Sequence, residues 1–174
     1  RPHSISLYAP APLVVIRAVH RPRIASLNEQ SRPSRLQLQV FIVPAPHRRL
    51  VQVGKPGAYE FLEGTPVQTA LTDAVTREAS VHAFEAYQRM LDAGVAREVA
   101  RIVLPLNIYS SMYVTMNARA LMNFLSLRTK REGTHFPSFP QREIEMVADQ
   151  MERVWAELMP FTHASFNGNG RVAP

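Results

Sequence analysis

The sequence predicts an α+β fold, an open and mostly antiparallel sheet covered by helices. Three observations predict it: short apolar or alternating runs that suit strands, longer runs of three- and four-residue apolar spacing that suit helices, and an order that mixes the two without strict strand–helix alternation. The helices gather in the second half. With 174 residues and 46% hydrophobic content, one domain with one core is expected.

The first residues, with Pro2, Ser4, Ser6 and Pro10, suit no regular element, so 1–11 is expected to be flexible, as is 167–174. Residues 12 to 19 form a short β-branched apolar run that predicts a strand buried on both faces. From His20 to Arg35 the chain is too polar and too interrupted for a strand. A second strand is expected where Leu36, Leu38, Val40 and Ile42 alternate with Gln37, Gln39 and Phe41. Residues 44 to 64 carry Pro44, Pro46, Gly54, Pro56, Gly57 and Gly64, the punctuation of a long surface loop.

Thr65-Pro66-Val67-Gln68 then marks a helix start, with a hydroxyl cap, a proline where no N–H is needed, and a glutamine three residues after the cap. Leu71, Val75, Ala79, His82 and Ala86 are expected to face the core, and Gly94 to end the helix. A shorter helix from Val95 to Val103 closes before Pro105. Ile108 to Met116 reads as a strand, followed by a helix capped by Asn117 and running to about Arg128. Gln141 to Leu158 is a further amphipathic helix, with Ile144, Val147, Met151, Val154 and Leu158 as its apolar positions and Pro160 beyond it.

The charge balance narrows the function. Lys+Arg number 20 against 14 Asp+Glu, a formal charge of +6, which favours an anionic partner. Only Lys55 and Lys130 are lysines, so the cations are guanidinium groups suited to paired hydrogen bonds with phosphate or carboxylate. There is no cysteine, which removes thiol nucleophiles, thiolate metal sites and disulfides together and favours a cytoplasmic location. No apolar run reaches the roughly 18 residues of a membrane span, and no signal-peptide pattern opens the chain. The six histidines show no pairing at metal-ligand spacing, so no metal is expected.

Three segments could carry chemistry. The first is Arg21-Pro22-Arg23-Ile24-Ala25-Ser26-Leu27-Asn28-Glu29-Gln30-Ser31-Arg32, read either as a solvated loop or as an anion cradle in which Glu29 accepts hydrogen bonds from a sugar or base. The second is the helix after Asn117, with Arg119, Asn123 and, roughly, Arg128 at helical spacing. It is either an ordinary amphipathic helix or a phosphate site at a helix N-terminus. The third is Arg101, set in the apolar run Ala100-Arg101-Ile102-Val103-Leu104, which pairs with Glu98 or faces a ligand. A basic nucleic-acid-binding module is a competing reading of the arginines, but no aromatic residues are interleaved with them, so no nucleic acid is expected.

In this order, the three segments resemble the flavin-dependent thymidylate synthase family, whose signature is Arg-His-Arg-x-x-Ser-x-Asn-Glu-x-Ser-x-Arg. Arg21, Arg23, Ser26, Asn28, Glu29 and Ser31 match it, and the likeness continues through residues 94–107 and 117–128. Pro22 stands where the family has His, Arg32-Pro33-Ser34-Arg35 follows Ser31 where Arg-Tyr is the rule, and an upstream His-x-Ser-x-x-Glu-His stretch has no counterpart. The chain is therefore expected to lack the N-terminal part of the family domain.

The resemblance implies a methyltransferase that converts dUMP to dTMP, with FAD as cofactor, NADPH and methylenetetrahydrofolate as co-substrates, and a homotetramer with active sites between subunits. It implies that Arg128 is catalytic, holding the uracil edge. It places Arg21, Glu29, Gln30, Ser31, Arg32, Arg101 and Arg128 on dUMP, and Arg21, Arg23, Glu29, Asn117, Arg119 and Asn123 on FAD. A relative that keeps the fold and nucleotide binding but not catalysis is the alternative.

Overall fold

The computed structural model describes residues 4–20, 25–29, 41–44, 48–56 and 58–173. It is α+β with an antiparallel sheet, as the sequence predicts. In chain order the elements are β1 (Ser4–Pro12), α1 (Leu13–Val19), β2 (Ala25–Glu29), β3 (Val51–Lys55), β4 (Ala58–Leu62), α2 (Pro66–Asp92) and α3 (Arg97–Ala100). A 3₁₀ turn (Arg101–Val103) leads to β5 (Tyr109–Asn117), α4 (Ala118–Arg128), α5 (Arg142–Leu158) and α6 (Pro160–Gly168). The chain divides into two compact units. One comprises residues 1–11, 15–30 and 111–174, the other 12–14 and 31–110.

The first unit is built on a three-stranded sheet in the order β1-β5-β2. β2 runs antiparallel to β5, with Ala25 opposite Met116, Leu27 opposite Val114 and Glu29 opposite Met112. Opposed residues share a face, so this register sets Met112, Val114 and Met116 inward with Leu27. The other face is hydroxyl-rich and aromatic: Ser6 and Thr115 share a 2.8 Å hydrogen bond, and the rings of Tyr8 and Tyr113 lie 5.1 Å apart.

Helices supply the rest of this core. Val15, Ile16 and Val19 of α1 are buried, as are Leu121, Phe124 and Leu125 of α4. α5 buries Ile144, Ala148, Met151 and Trp155, and the Trp155 ring meets Phe166 of α6 and His163 edge-on at 5.7 and 5.3 Å.

The second unit holds the β3–β4 hairpin, paired from Val51 with Leu62 to Lys55 with Ala58, together with α2, α3 and the 3₁₀ turn. Thr65 caps α2 as the sequence predicts: the Gln68 N–H donates to Thr65 Oγ1 at 3.3 Å, and the Thr65 N–H donates to Gln68 Oε1 at 2.8 Å. Gly94 ends the helix at a φ of 80°, a left-handed conformation that costs other residues a steric clash. Asn107 ties the unit together, its Nδ2 donating to Ser80 Oγ at 2.8 Å and to the Ile42 carbonyl at 3.3 Å. Of the described large apolar side chains, this unit buries only Tyr87 and Ile108.

Several sequence expectations are corrected. The run at 12–19 is helix from Leu13, because uninterrupted apolar character reports burial and does not separate helix from strand. Residues 4–12 are a strand where 1–11 was expected to be flexible, and Asn167 and Gly168 end a helix, with Arg171 buried beyond it, where 167–174 was expected to be flexible. Pro160 opens α6 as its first residue, besides ending α5. A strand occupies Ala25–Glu29 inside the segment judged too polar, and a hairpin fills the expected long loop. The 36–42 strand lies mostly outside the described residues; Phe41 bridges Ile108.

Apolar faces were also misassigned. Leu71 and Val75 of α2 are 61% and 51% exposed, and the helix turns Ser80 and Tyr87 inward. Ser80 wins that place because it has two part-buried polar partners, the Thr76 carbonyl and Asn107. In α5, Val154 and Leu158 are exposed while Ala148, Glu152 and Trp155 take the inward positions.

Candidate active site

α4 carries most of the described candidates. Asn117 ends β5 and caps the helix, its Oδ1 accepting the Ala120 N–H at 2.8 Å. Arg119 and Asn123 follow one turn apart and both are exposed. Arg119 makes no hydrogen bond or ion pair with any described residue.

Arg128 leaves the stripe on which the sequence placed it. At about 100° per residue it lies roughly 180° around the helix from Arg119, and Leu127, 63% exposed, continues the Arg119–Asn123 row instead. Arg128 extends the buried row of Leu121, Phe124 and Leu125 and is itself half-buried.

The register of β2 against β5 separates the other candidates. β2 begins at Ala25, opposite Met116 and next to Asn117. The exposed Glu29 leaves it opposite Met112, about five residues or roughly 16 Å along the strand from Asn117. The chain thus sets Asn117 and Glu29 at opposite ends of the same strand pair. Arg21, Arg23, Gln30, Ser31 and Arg32 lie outside the described residues. In the second unit Arg101 opens the 3₁₀ turn, exposed, and forms no ion pair with Glu98.

A polar cluster that sequence reasoning missed holds the chain just past Arg128. Arg171 is 6% exposed; its Nη1 and Nη2 donate to the two oxygens of Glu152 at 2.6 and 2.9 Å, and its Nη2 also donates to Thr129 Oγ1 at 2.9 Å. Nη1 further donates to Asn167 Oδ1 at 2.6 Å, and the guanidinium stacks on Phe166. Burial alone would raise the Glu152 carboxyl. Hydrogen bonds from Arg171 and His163, with the charges of Arg171 and Arg131, outweigh it and hold Glu152 below the ordinary range.

Arg171 has a φ of 61°, a conformation that costs a non-glycine residue about 1–3 kcal/mol unless its surroundings over-determine it. The only sequence signal was its place after Gly168-Asn169-Gly170, a turn-rich ending whose following arginine carried no pattern. The groove of about 530 Å³ beside this cluster mixes Arg131, Arg153 and Arg171 with Glu132, Asp149 and Glu152, so it offers an anion no net positive field.

The FAD candidates can be tested on α4. An exposed guanidinium without a described partner and an exposed amide one turn further on suit a phosphate-bearing cofactor. They fit such a group. Among the described residues no cluster of His, Asp and Glu is placed to hold a metal ion, and no helix is long and apolar enough to cross a membrane.

Comparison with known proteins supplies the family. A family model described as thymidylate synthase complementing protein matches residues 3–161, and relatives named flavin-dependent thymidylate synthase align over nearly the whole chain. The chain belongs to this family. The relative from Streptomyces avermitilis is 55% identical over 173 residues, covering 99% of this chain and 70% of that one. The one from Tropheryma whipplei (strain TW08/27) is 54% identical over 164 residues, covering 94% and 68%. Among solved structures, the UMP/dUMP methylase PolB from Streptomyces cacaoi bound with 5-Br UMP superposes with a TM-score of 0.90 at 46% identity, covering 98% of this chain and 76% of that one. Its 5-Br dUMP complex has the same TM-score at 48% identity, covering 98% and 73%.

The exposed row of α4 carries Arg119 and Asn123, the residues expected on the cofactor, and its buried row ends in Arg128, the residue expected on the substrate.

Proposed function

We propose that the chain is a flavin-dependent methyltransferase that makes dTMP from dUMP, taking its carbon from methylenetetrahydrofolate and its reducing equivalents from NADPH. The observation that carries this reading is the division of α4, with Arg119 and Asn123 on its exposed row and Arg128 at the end of its buried row, in a chain without cysteine. In the balanced reaction the C5 hydrogen of dUMP leaves as a proton and a methyl group replaces it. The products are dTMP, tetrahydrofolate and NADP⁺.

FAD, when bound by Arg119 and Asn123 with Arg21, Arg23 and Glu29, supplies the hydride chemistry that completes the methyl group. The protein's own residues prepare the pyrimidine. A fixed guanidinium at Arg128 stabilises negative charge that develops when the uracil N3 loses its proton, and that charge raises electron density at C5. No covalent nucleophile is needed, and the chain has no thiol to offer one. Arg21, Arg32 and Arg101 bind the phosphate through paired N–H donors, Gln30 and Ser31 add hydrogen bonds, and Glu29 accepts from the sugar.

The working unit is a homotetramer with sites between subunits. Val67, Leu71 and Val75 form an apolar row along α2 with exposures of 76%, 61% and 51%, and Ile102 is 77% exposed in the same unit. Such a row favours association. The separation of Glu29 from Asn117 within one chain also suits a site completed by a second subunit. The cytoplasm, where dUMP and NADPH occur together, is the location that goes with this reaction.

A second reading is methylation of UMP. The 46% identity to a protein described as a UMP/dUMP methylase favours it.

The test is the visible spectrum of the protein after incubation with FAD and removal of free flavin, followed by anaerobic NADPH addition. Retained flavin that bleaches, and that yields methylated product with dUMP in excess over UMP, supports the reading. Absence of retained flavin assigns the chain to the family fold without its chemistry.

A further inference from the structure

The residues that hold the chain immediately after Arg128 come from Ser138, from α5 and from the C-terminal turn, the last about 35 to 42 positions later in sequence. Thr129 is the C-cap of α4 and is 1% exposed. Its N–H and its hydroxyl both donate to the Leu125 carbonyl, at 3.0 and 2.7 Å, which closes the last helical turn twice. The hydroxyl oxygen accepts Arg171 Nη2, and the Thr129 carbonyl accepts Ser138 Oγ at 2.6 Å.

The next residues are held as well. The Lys130 N–H donates to Glu145 Oε1 at 3.2 Å, and Arg131 pairs with Asp149 at 2.5 Å. The His135 N–H donates to the Gly170 carbonyl at 2.8 Å. Gly170 has a φ of 64°, and a Cβ there would come within 3.2 Å of His135 Cβ, so the turn before Arg171 is built for this approach.

Such anchoring exceeds what a helix end needs. Last turns fray in most proteins, and a single capping contact suffices to end them. Here a buried arginine in a left-handed conformation, its Nη1 and Nη2 forked onto Glu152 and its Nε without a described partner, gives a further Nη2 hydrogen bond to the residue next to Arg128. Strained, over-determined residues of this kind accompany functional positions. Arg128 needs such a support, because it leaves the helix from the buried row, and a guanidinium that stabilises developing charge must be held to about 0.5 Å.

We propose that Arg171 is a positioning residue for the methyl transfer: through the Thr129 hydroxyl it locks the end of α4 and with it the direction of the Arg128 guanidinium towards the pyrimidine. The inference rests on the reading of Arg128 given above. Arg171 and Thr129 act through the end of α4, and Glu152 holds the arginine fork in place.

The test is a double-mutant cycle on the FAD-loaded enzyme, with turnover followed by tritium release from dUMP labelled at C5, and with the thermal midpoint recorded for each variant. Thr129→Val keeps the shape and removes the hydroxyl, Thr129→Ser restores it, and Arg128→Lys keeps the charge without the fork. We expect Thr129→Val to lower kcat about tenfold with little change in KM for methylenetetrahydrofolate, and Thr129→Ser to recover kcat to within about twofold. In the Arg128→Lys background the Thr129→Val effect should largely vanish, because there is no fork left to aim. A tenfold loss that persists in that background, or a lowered midpoint with unchanged kcat, overturns the proposal while leaving Arg128 as a catalytic residue. Full activity of Arg128→Lys and of Arg128→Ala overturns the Arg128 reading itself, and the proposal with it.

Discussion

His163 Nε2 lies 3.0 Å from Glu152 Oε1, so the carboxylate is the meeting point of an imidazole and the guanidinium of Arg171. Glu152 is held below its ordinary value of 4.5, so the unfolded chain takes up its proton before the folded one does. Its contribution to stability is complete above about pH 4.5 and is lost as the pH falls through the lower folded value. Unfolding titrations should show a steep acid loss in that window, and Glu152→Gln should be flatter there and weaker at neutral pH by about 3–5 kcal/mol, the cost of leaving Arg171 buried without its partner.

Asn117→Ala removes the side-chain acceptor of the Ala120 N–H and should cost about 1 kcal/mol, a fall of roughly 2–4 °C in the thermal midpoint. Asn117→Asp keeps the acceptor and should restore most of it. Calorimetry of the three proteins checks both expectations.

Arg119→Ala should separate binding from folding. The side chain is exposed and has no described partner, so stability should change by less than about 0.5 kcal/mol. Flavin retention should weaken about tenfold or more if the guanidinium meets a phosphate. A fluorescence titration with FAD, beside a melting curve, gives both numbers.

Leu71→Asp places a charge in the exposed apolar row of α2. It should leave helical content intact and reduce the sedimenting mass from tetramer towards smaller species. Unchanged mass would remove that row from the subunit contact.

What the sequence disclosed and what it hid follow one physical division. Local chemistry was legible: the Thr65–Gln68 box, the Gly94 stop and the Asn117 cap are recognised because their hydrogen bonds close within three or four residues. Choices decided by distant partners were not. Ala25–Glu29 becomes a strand because β5 offers it a ladder, and Ser80 turns inward because Asn107 meets it. Leu71 and Val75 carry a core-like spacing that one chain does not bury. In the site, the residue types of α4 were legible, while the opposed direction of Arg128 needed the helix phase, and the Arg171–Thr129 contact spans 42 positions that no local pattern connects.

Methylation of dUMP through a flavin, without a thiol nucleophile, is measured by incubating the purified protein with dUMP, methylenetetrahydrofolate and NADPH, with and without FAD, and analysing the nucleotide by mass. dTMP is expected only when FAD is present, with Arg128→Ala abolishing it. FAD retained and reduced by NADPH, with dUMP recovered unchanged, would contradict this expectation.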